Sequence, residues 1–238
     1  MPALRERHTP DLVIVNGENS AGGLGITEGT AAELFAAGAD VITTGNHVFR
    51  HRDVYEYLDR EERIVRPANY PHGNPGRGHT VVDAQGSRVA VINLSGAVQL
   101  KVARSPFAEV DSILERIGSN VDAVVVDFHA EVTSEKVAMG WHLDGRVAAL
   151  FGTHTHVPTA DARVLPGGTA YVSDVGMTGS RAGVIGVKRH QALEAFVTQM
   201  PVRFETAEED VWVMGAAVSI GAGGRADSIE QVLVPAAG

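Results

Sequence analysis

Short apolar runs alternate with helix-like segments along the first part of the chain. Residues 12–15 and residues 41–44 are rich in β-branched side chains, which is typical of strands buried on both faces of a parallel sheet. Between them, Thr27 can cap a helix that runs to Ala37 and ends at Gly38. A strand, a helix and a second strand within about thirty residues predict a parallel βαβ unit.

The rest of the chain continues this alternation and then becomes rich in strands. A Gln-Gly turn at residues 85–86 indicates a hairpin, and Pro106 can open a helix. The predicted helices cover residues 106–117 and 133–139, and the segment before the first strand has room for about two helical turns. The predicted strands cover residues 81–83, 88–94, 121–126, 147–151, 170–172, 202–206, 211–220 and 229–234. We therefore expect an α/β fold with a mixed system of two packed sheets flanked by helices, in a single domain over residues 1–238.

The overall charge narrows the range of partners. Among 238 residues, 20 Lys+Arg against 29 Asp+Glu give a net charge of −9. This balance argues against strong non-specific nucleic-acid binding, which needs a basic face, but a small phosphorylated substrate beside a metal ion remains compatible with it. No apolar run approaches the roughly 20 residues of a membrane helix, and the N-terminus lacks a secretory apolar region. We expect a cytoplasmic protein without membrane contacts.

Polar residues of the kind that bind metals follow four of the predicted strands. The chain has no cysteine, which excludes disulfides, thiolate-bound metals and thiol nucleophiles, so that any metal must be held by His, Asn and carboxylates. The strand-end residues are Glu18 and Asn19, then Asn46 and His47, then Asp127, His129 and Glu131, and finally His154 and His156. Because the carboxyl ends of parallel strands meet at one edge of a sheet, these side chains are predicted to share a crevice.

Each of these residues also has an ordinary structural interpretation. A lone histidine is more often a surface or hydrogen-bonded core residue than a ligand, and Asn46 could form an Asx turn. We give the structural interpretation to the six histidines without a strand-end context: His8, His51, His72, His79, His142 and His190. The run Gly-Thr-His-Thr-His at residues 152–156 is harder to explain in this way, because in an extended chain its two histidines would project to one side. We therefore disfavour the interpretation in which all four strand-end groups are structural and fall at one sheet edge by coincidence.

Such a donor set suits a divalent ion and hydrolysis at phosphorus. Carboxylate, amide oxygen and imidazole bind Mn, Fe or Zn. A carboxylate can bridge two metals about 3.5–4 Å apart, and such pairs clamp the attacking and leaving oxygens of a displacement. A histidine outside the ligand set can protonate the leaving alkoxide, and His47, directly after Asn46, is the candidate.

The motifs resemble those of the calcineurin-like metallophosphoesterases. The resemblance rests on Gly-Glu-Asn at residues 17–19, Gly-Asn-His at 45–47, Asp-Phe-His-Ala-Glu at 127–131 and Gly-Thr-His-Thr-His-Val at 152–157. Residues 65–70, 133–136 and 173–179 are similar to the bacterial YmdB-type phosphodiesterases in particular. The resemblance extends from Asp11 to the C-terminal strands.

This resemblance implies a four-layer αββα sandwich with two metals at the sheet edge. Applied to this sequence, the resemblance implies that Glu18 bridges the two ions. It assigns Asn46, His129 and His154 to one ion and Asn19 and His156 to the other, and it implies that His47 is the proton donor. It implies a phosphodiesterase that hydrolyses 2′,3′- or 3′,5′-cyclic nucleotides by attack of a metal-held hydroxide on phosphorus. It also implies a homo-oligomer.

The sequence departs from the family pattern at its start. In the family, the first strand ends in Gly-Asp-x-x-Gly, whose aspartate binds one metal. The sequence begins with a charged segment instead, and Asp11 precedes the strand that carries Glu18, so it lies at the wrong end of the sheet. Either the start codon is assigned too far downstream or the protein is shortened, and the first is favoured because a sheet without a central strand exposes backbone groups. For the chain as given, we expect one ion to bind well and the second weakly.

Other possibilities stay open at this point. The chain could be a non-catalytic metal-binding module that acts through protein contacts. An esterase or amidase of another fold would need a pattern such as Gly-x-Ser-x-Gly, which neither Ser95 nor Ser134 fits. Arg66 and Asn69 could contact substrate or shape a loop, and residues 174–179 could form a subunit contact or a pocket wall.

Overall fold

The computed structural model describes residues 2–236 and shows an α/β fold. The helices in this part of the chain are α1 (Pro2–His8), α2 (Glu28–Ala36), α3 (Val54–Arg60), α4 (Pro106–Ile117), α5 (Thr133–Leu143) and α6 (Arg189–Thr198). The strands are β1 (Ile14–Asn16), β2 (Val41–Thr43), β3 (Ile64–Val65), β4 (His79–Ala84), β5 (Ser87–Ser95), β6 (Ala123–His129), β7 (Ala149–Thr153), β8 (Arg163–Val164), β9 (Ala170–Val172), β10 (Gly179–Ser180), β11 (Val211–Ile220) and β12 (Ala226–Pro235).

These strands form three sheets. The largest has the order β4-β5-β6-β7-β9-β8, and its central strands β5, β6, β7 and β9 run parallel. A second sheet, β1-β2-β3, is parallel, and a third, β10-β11-β12, is antiparallel. The parallel arrangement of β1 with β2 and of β6 with β7 brings the carboxyl ends of each pair to one edge.

The apolar cores show how these sheets and helices are layered. Ile113 of α4 and Met139 of α5 pack with Phe128 on the outer face of the six-stranded sheet. Leu58 of α3 packs with Ile42 on the outer face of β1-β2-β3. Between the sheets, apolar side chains of the six-stranded sheet, such as Val125 and Ala149, pack with Ile14 of β1 and Val218 of β11. Helices therefore cover both outer faces of two stacked sheet layers, which is the predicted αββα arrangement.

The helices form where the local sequence favours them. Thr27 caps α2 through a capping box with Thr30, and Pro106 occupies the first turn of α4, where its missing N–H costs nothing. Within α4, Val110, Ile113 and Ile117 form a buried stripe with the spacing of one helix face. The described part of α1 agrees with the predicted short helix.

Several element predictions need correction. Residues 202–206 form no strand, since only Thr206 makes an isolated bridge, to Val187; the segment is largely exposed and lacks a neighbouring strand. The strands β1, β6 and β7 lie about two residues further along than predicted. Helices α3 and α6 and the short strands β3, β8 and β10 were not predicted.

The sheet layer made of β1-β2-β3 and β10-β11-β12 is divided by a trench. Within residues 2–236, β1 pairs only with β2, and β10 covers β11 only at Val211 and Trp212. The facing edges of β1 and β11 line a trench of about 1520 Å³. The second layer thus consists of two sheets rather than the single sheet predicted, and the expectation of an absent first strand stays a prediction. None of the described helices combines the length and apolar character needed to cross a membrane.

Candidate metal centre

Four donor atoms converge at the carboxyl ends of β1, β2, β6 and β7. The Nε2 atom of the buried His129 lies 2.5 Å from Oε2 of Glu18, 2.9 Å from Oδ1 of Asn46 and 3.0 Å from Nδ1 of His154. A proton on Nε2 can form a good hydrogen bond with only one of these three partners. A cation placed between the four atoms would accept an electron pair from each of them. Glu18, His129 and His154 together form a possible metal-binding cluster in which the ligand atoms all lie within 4.8 Å of one another.

The backbone at Gly45 leaves space for this convergence. A Cβ atom at Gly45 would collide with Nε2 of His129 and would lie 2.5 Å from Oε2 of Glu18. Because this glycine does not need a positive φ, the reason for its presence is space rather than backbone conformation. The donor types, their convergence and the space that Gly45 leaves all fit a divalent ion.

Outer hydrogen bonds orient the two histidines. Nδ1 of His129 lies 2.9 Å from Oγ1 of Thr153, and that hydroxyl donates to Oδ1 of Asp127 at 2.7 Å. Nδ1–H of His129 is therefore the donor to Thr153, which leaves Nε2 to face the cluster. Nε2 of His154 lies 2.9 Å from Oε2 of Glu131. Metal-binding histidines characteristically donate their second ring N–H in this way.

Asp127 is a part of the site that sequence reasoning did not assign. Its buried carboxylate also accepts hydrogen bonds from Oγ1 of Thr43 at 2.5 Å and Nδ2 of Asn16 at 2.9 Å, so it links both sheet layers beneath the cluster. The signal in the sequence was the spacing of Asp127 and His129, because residues two apart on a strand share a face. Glu131 belongs to the same strand-end run and was given no role, whereas Thr153 carried no signal of its own.

The surroundings shift the pKa values of three groups. Burial acts to raise the pKa of Glu18, but the charge and hydrogen bond of His129 and the amide of His47 outweigh it and hold that pKa below its usual range. Burial, followed by the charge of His129, lowers the pKa of His154. Both shifts favour a carboxylate and a neutral imidazole, the forms that bind metals. Burial raises the pKa of Asp127 in spite of its hydrogen-bond donors.

Asn19 and His156 form a second pair beside the cluster. Nδ2 of Asn19 lies 3.2 Å from Nε2 of His156, whose Nδ1 lies 3.0 Å from the carbonyl oxygen of Ile185. Among the described residues, Oδ1 of Asn19 is buried without a hydrogen-bond partner, and a bound cation would satisfy it. Glu18, Asn19, His129, His154 and His156 all line the end of the trench.

The two histidines do not project from an extended strand, as the sequence suggested. Strand β7 ends at Thr153, and His154 and His156 have φ values of 95° and 67°. Such values are costly for residues other than glycine. His154 turns toward His129 while His156 turns toward Asn19, so the bend sends them to two neighbouring groups.

His47 lies next to the cluster without joining it. Its backbone N–H donates to Oε1 of Glu18 at 2.7 Å, and its ring Nε2 lies 3.2 Å from Nδ2 of Asn46. Since Oδ1 of Asn46 faces His129, the His47 ring is on the other side of the same amide. The ring is therefore outside the set of convergent donors and close to it.

The remaining candidates lie outside the metal-binding cluster found among the described residues. Arg66 and Asn69 are buried and donate to backbone carbonyls of Pro67 and Ser95, at 2.9 and 2.7 Å, so both shape loops. Residues 175–178 line the trench and thus form a pocket wall. None of the six histidines set aside belongs to the cluster found among the described residues.

The chain is similar to known proteins over nearly its whole length. Residues 1–232 match the family model described as YmdB-like protein. The chain belongs to this family. It is 43% identical over 235 residues to the 2′,3′-cyclic-nucleotide 2′-phosphodiesterase of Bacillus subtilis (strain 168), a match that covers 98% of this chain and 89% of that relative. The similarity to the metallophosphoesterase family predicted from the motifs is thereby confirmed.

Two solved structures show the same fold. A hypothetical protein from Thermus thermophilus superposes with a TM-score of 0.92 at 39% identity, over 98% of this chain and 90% of that one. A phosphatase from Mycoplasma pneumoniae superposes with a TM-score of 0.90 at 32% identity, over 98% of this chain and 85% of that one. The predicted fold class is confirmed.

Proposed function

We propose that this protein is a metal-dependent phosphodiesterase that hydrolyses cyclic nucleotides, with 2′,3′-cyclic nucleotides as the first substrates to test. The observation that carries the proposal is the convergence of Glu18, Asn46 and His154 on Nε2 of His129. The name of the Bacillus subtilis relative, to which the chain is similar over nearly its whole length, supports the substrate class.

The chain's own residues would divide the work between binding and proton transfer. Bound divalent ions would stabilise the charge that develops on the phosphate oxygens and supply a nucleophile from water at neutral pH. Asn46, His129 and His154 would hold one ion, Asn19 and His156 a second, and Glu18 both. His47 would deliver a proton to the leaving ribose oxygen, because its ring is beside the ligands and is not one of them.

The first of these ions would bind more tightly than the second. The first set offers the buried carboxylate of Glu18, two imidazoles and an amide oxygen. The second set offers one amide oxygen, one imidazole and a share of Glu18, and thus no carboxylate of its own among the described residues. Mn, Fe and Zn all suit this donor chemistry.

We further propose a cytoplasmic homo-oligomer assembled through α6. Leu193, Phe196 and Val197 of that helix are 54%, 78% and 80% exposed, and Met200 just after it is 65% exposed. Leu193, Phe196 and Val197 have the spacing of one helix face. A contiguous apolar stripe on the surface of a soluble protein typically marks an interface, and the commonest partner is a second copy of the same chain.

The function is tested with the full chain, freed of metal and reloaded with Mn²⁺. We expect hydrolysis of 2′,3′-cyclic AMP, followed by chromatography of the product, and loss of turnover on addition of EDTA. The matched control is Glu18→Gln, which keeps the shape of the side chain, removes its charge and reports any contaminating hydrolase. Absence of turnover of 2′,3′-cyclic AMP, 3′,5′-cyclic AMP and bis-p-nitrophenyl phosphate by a chain that binds Mn²⁺ would refute the enzyme and favour a non-catalytic module.

A further inference from the structure

Two residues of the family-like motifs have no part in the donor cluster and are nevertheless buried together. Lys136 of α5 is 2% exposed and Asp174, after β9, is 1% exposed. Nζ of Lys136 donates to Oδ2 of Asp174 at 2.9 Å. Removing two charges from water is costly, and replacing such a pair with apolar residues is often neutral or stabilising. Stability alone is therefore a weak reason for this pair.

The pair converges on one residue, Thr155. Its backbone N–H and its hydroxyl both donate to Oδ2 of Asp174, at 3.1 and 2.6 Å, and Nζ of Lys136 donates to its Oγ1 at 3.2 Å. The second carboxylate oxygen of Asp174 accepts the N–H of Gly176 at 2.8 Å. Asp174 is thereby fixed, and Thr155 is attached to it at two points.

Thr155 separates the two histidines of the site. His154 and His156 both have positive φ values, 95° and 67°, a backbone conformation that persists only where the surroundings enforce it. Besides the bonds that the two histidine rings make themselves, Thr155 ties the backbone of this segment to its surroundings. Its attachment to Asp174 holds the bend between Nδ1 of His154, which faces His129, and Nε2 of His156, which faces Asn19.

The approach of the two chain segments is built into the backbone as well. A Cβ atom at Gly152 would collide with the carbonyl oxygen of Ser173, and it would lie 3.0 Å from Cδ of Lys136. The N–H of Val175 donates to the carbonyl of Gly152 at 3.0 Å. The segment that carries Asp174 is thus packed directly against the end of β7, just before the histidines.

We infer that Lys136 and Asp174 are positioning residues that hold His154 and His156 in the metal-binding arrangement by fixing Thr155 between them. The inference rests on the proposed metal centre. It assigns a role to parts of the sequence that contribute no ligand. It also explains why a buried ion pair occurs at this place, since the charges supply the directional bonds that the strained bend needs.

The test compares Thr155→Val, which keeps the shape of the side chain and removes its hydroxyl, with Thr155→Ser, which retains the hydroxyl and removes the methyl group. Titration calorimetry of the metal-free full chain with Mn²⁺ measures affinity, and circular dichroism follows folding and thermal unfolding. We expect Thr155→Val to weaken Mn²⁺ binding by roughly 10-fold, the lower end of the effect of losing a residue bonded directly to a metal ligand, because Thr155 acts on the two histidines through the backbone. Thr155→Ser should recover most of that loss.

Lys136→Met should weaken binding to a similar extent, and Lys188→Met, which breaks the exposed ion pair with Glu205, should leave it unchanged. Wild-type affinity in both Thr155→Val and Lys136→Met, with only a lower Tm, would overturn the positioning role and leave the metal centre intact. Absence of Mn²⁺ binding by the unmodified chain would overturn both proposals. If Lys136→Met does not fold, the comparison of Thr155→Val with Thr155→Ser tests the positioning role, because neither of those variants removes a charge.

Discussion

Oε2 of Glu18 and Nε2 of His129 approach to 2.5 Å, although the two residues belong to different sheet layers. Glu18 follows β1 of the sheet β1-β2-β3, and His129 ends β6 of the six-stranded sheet. Both side chains are 1% exposed. The contact therefore places an acidic and a basic group, each removed from water, at the point where the two layers meet.

Adding a divalent ion should stabilise the folded chain. An ion that binds only the folded state at about 100 times its Kd contributes about 2.7 kcal/mol, which for a chain of this size corresponds to a rise in Tm of roughly 5–10 °C. Thermal unfolding of the metal-free chain with and without Mn²⁺ measures the effect. An unchanged Tm would contradict the metal centre, and two tightly bound equivalents by elemental analysis would contradict the weaker second site.

Gly45→Ala should strongly weaken metal binding. The added methyl group would occupy the space between Glu18 and His129, so we expect Mn²⁺ affinity to fall by more than the 10–100-fold typical of outer-partner changes. The control is Gly73→Ala, because a Cβ atom at Gly73 would meet nothing within 4 Å. Calorimetric titration of both variants gives the comparison, and equal affinities would show that the cation does not bind at this point.

Asp127→Asn should weaken both the site and the fold. An amide has fewer acceptor positions than the carboxylate, and its NH₂ group would face hydrogen-bond donors such as Thr43 and Asn16. We expect a loss of about 1–3 kcal/mol in the free energy of unfolding and roughly 10–100-fold in Mn²⁺ affinity. Urea unfolding and calorimetry measure these. Asp83→Asn is the control, since Asp83 is an exposed residue near the end of β4; a loss confined to stability would deny Asp127 its orienting role.

His47→Ala should separate catalysis from metal binding. Loss of a general acid typically costs about 10²–10⁴ in rate, whereas the four convergent donors remain in place. We expect a lower kcat with unchanged Mn²⁺ content, and His72→Ala, at an exposed histidine, should match the unmodified chain. If metal and activity are lost together, His47 belongs to the ligands.

Phe196→Glu should reduce the oligomer to single chains. A carboxylate in the middle of the α6 stripe would be buried without a partner in any interface that covers it. Light scattering coupled to size-exclusion chromatography measures the mass. His72→Glu adds the same group at an exposed position outside α6 and should preserve the oligomer. The α6 interface would be refuted by an unmodified chain that is already monomeric.

The sequence was sufficient to predict the layers and the edge at which the site lies, because apolar runs and strand-end residues are local signals. It predicted the end of β6 too early, at residue 126, since Asp127 is polar. In the structure, β6 continues to His129 because Thr43, Asn16 and Thr153 satisfy that carboxylate from other elements. Partners that come from distant elements leave no local pattern.

The bend at His154 and His156 was unpredictable for the same reason. Neither residue is a glycine, so nothing in the sequence indicated positive φ values, and an extended segment was the reasonable expectation. The bend depends on Thr155, Lys136 and Asp174, which come together only in the folded chain. Helix α6 was not predicted, although its apolar residues have helical spacing. In the structure these residues face outward and are not part of the core.

The open edge of β1 has a mechanical consequence. This strand has three residues and, within residues 2–236, one neighbouring strand, yet it carries the carboxylate on which the site depends. By contrast, His129 ends β6 and His154 follows β7, and both strands have a neighbour on each side in the six-stranded sheet. A cation held by all three would tie strand β1 to the six-stranded sheet, so that binding of the metal would restrain local opening of this edge as well as enable its chemistry.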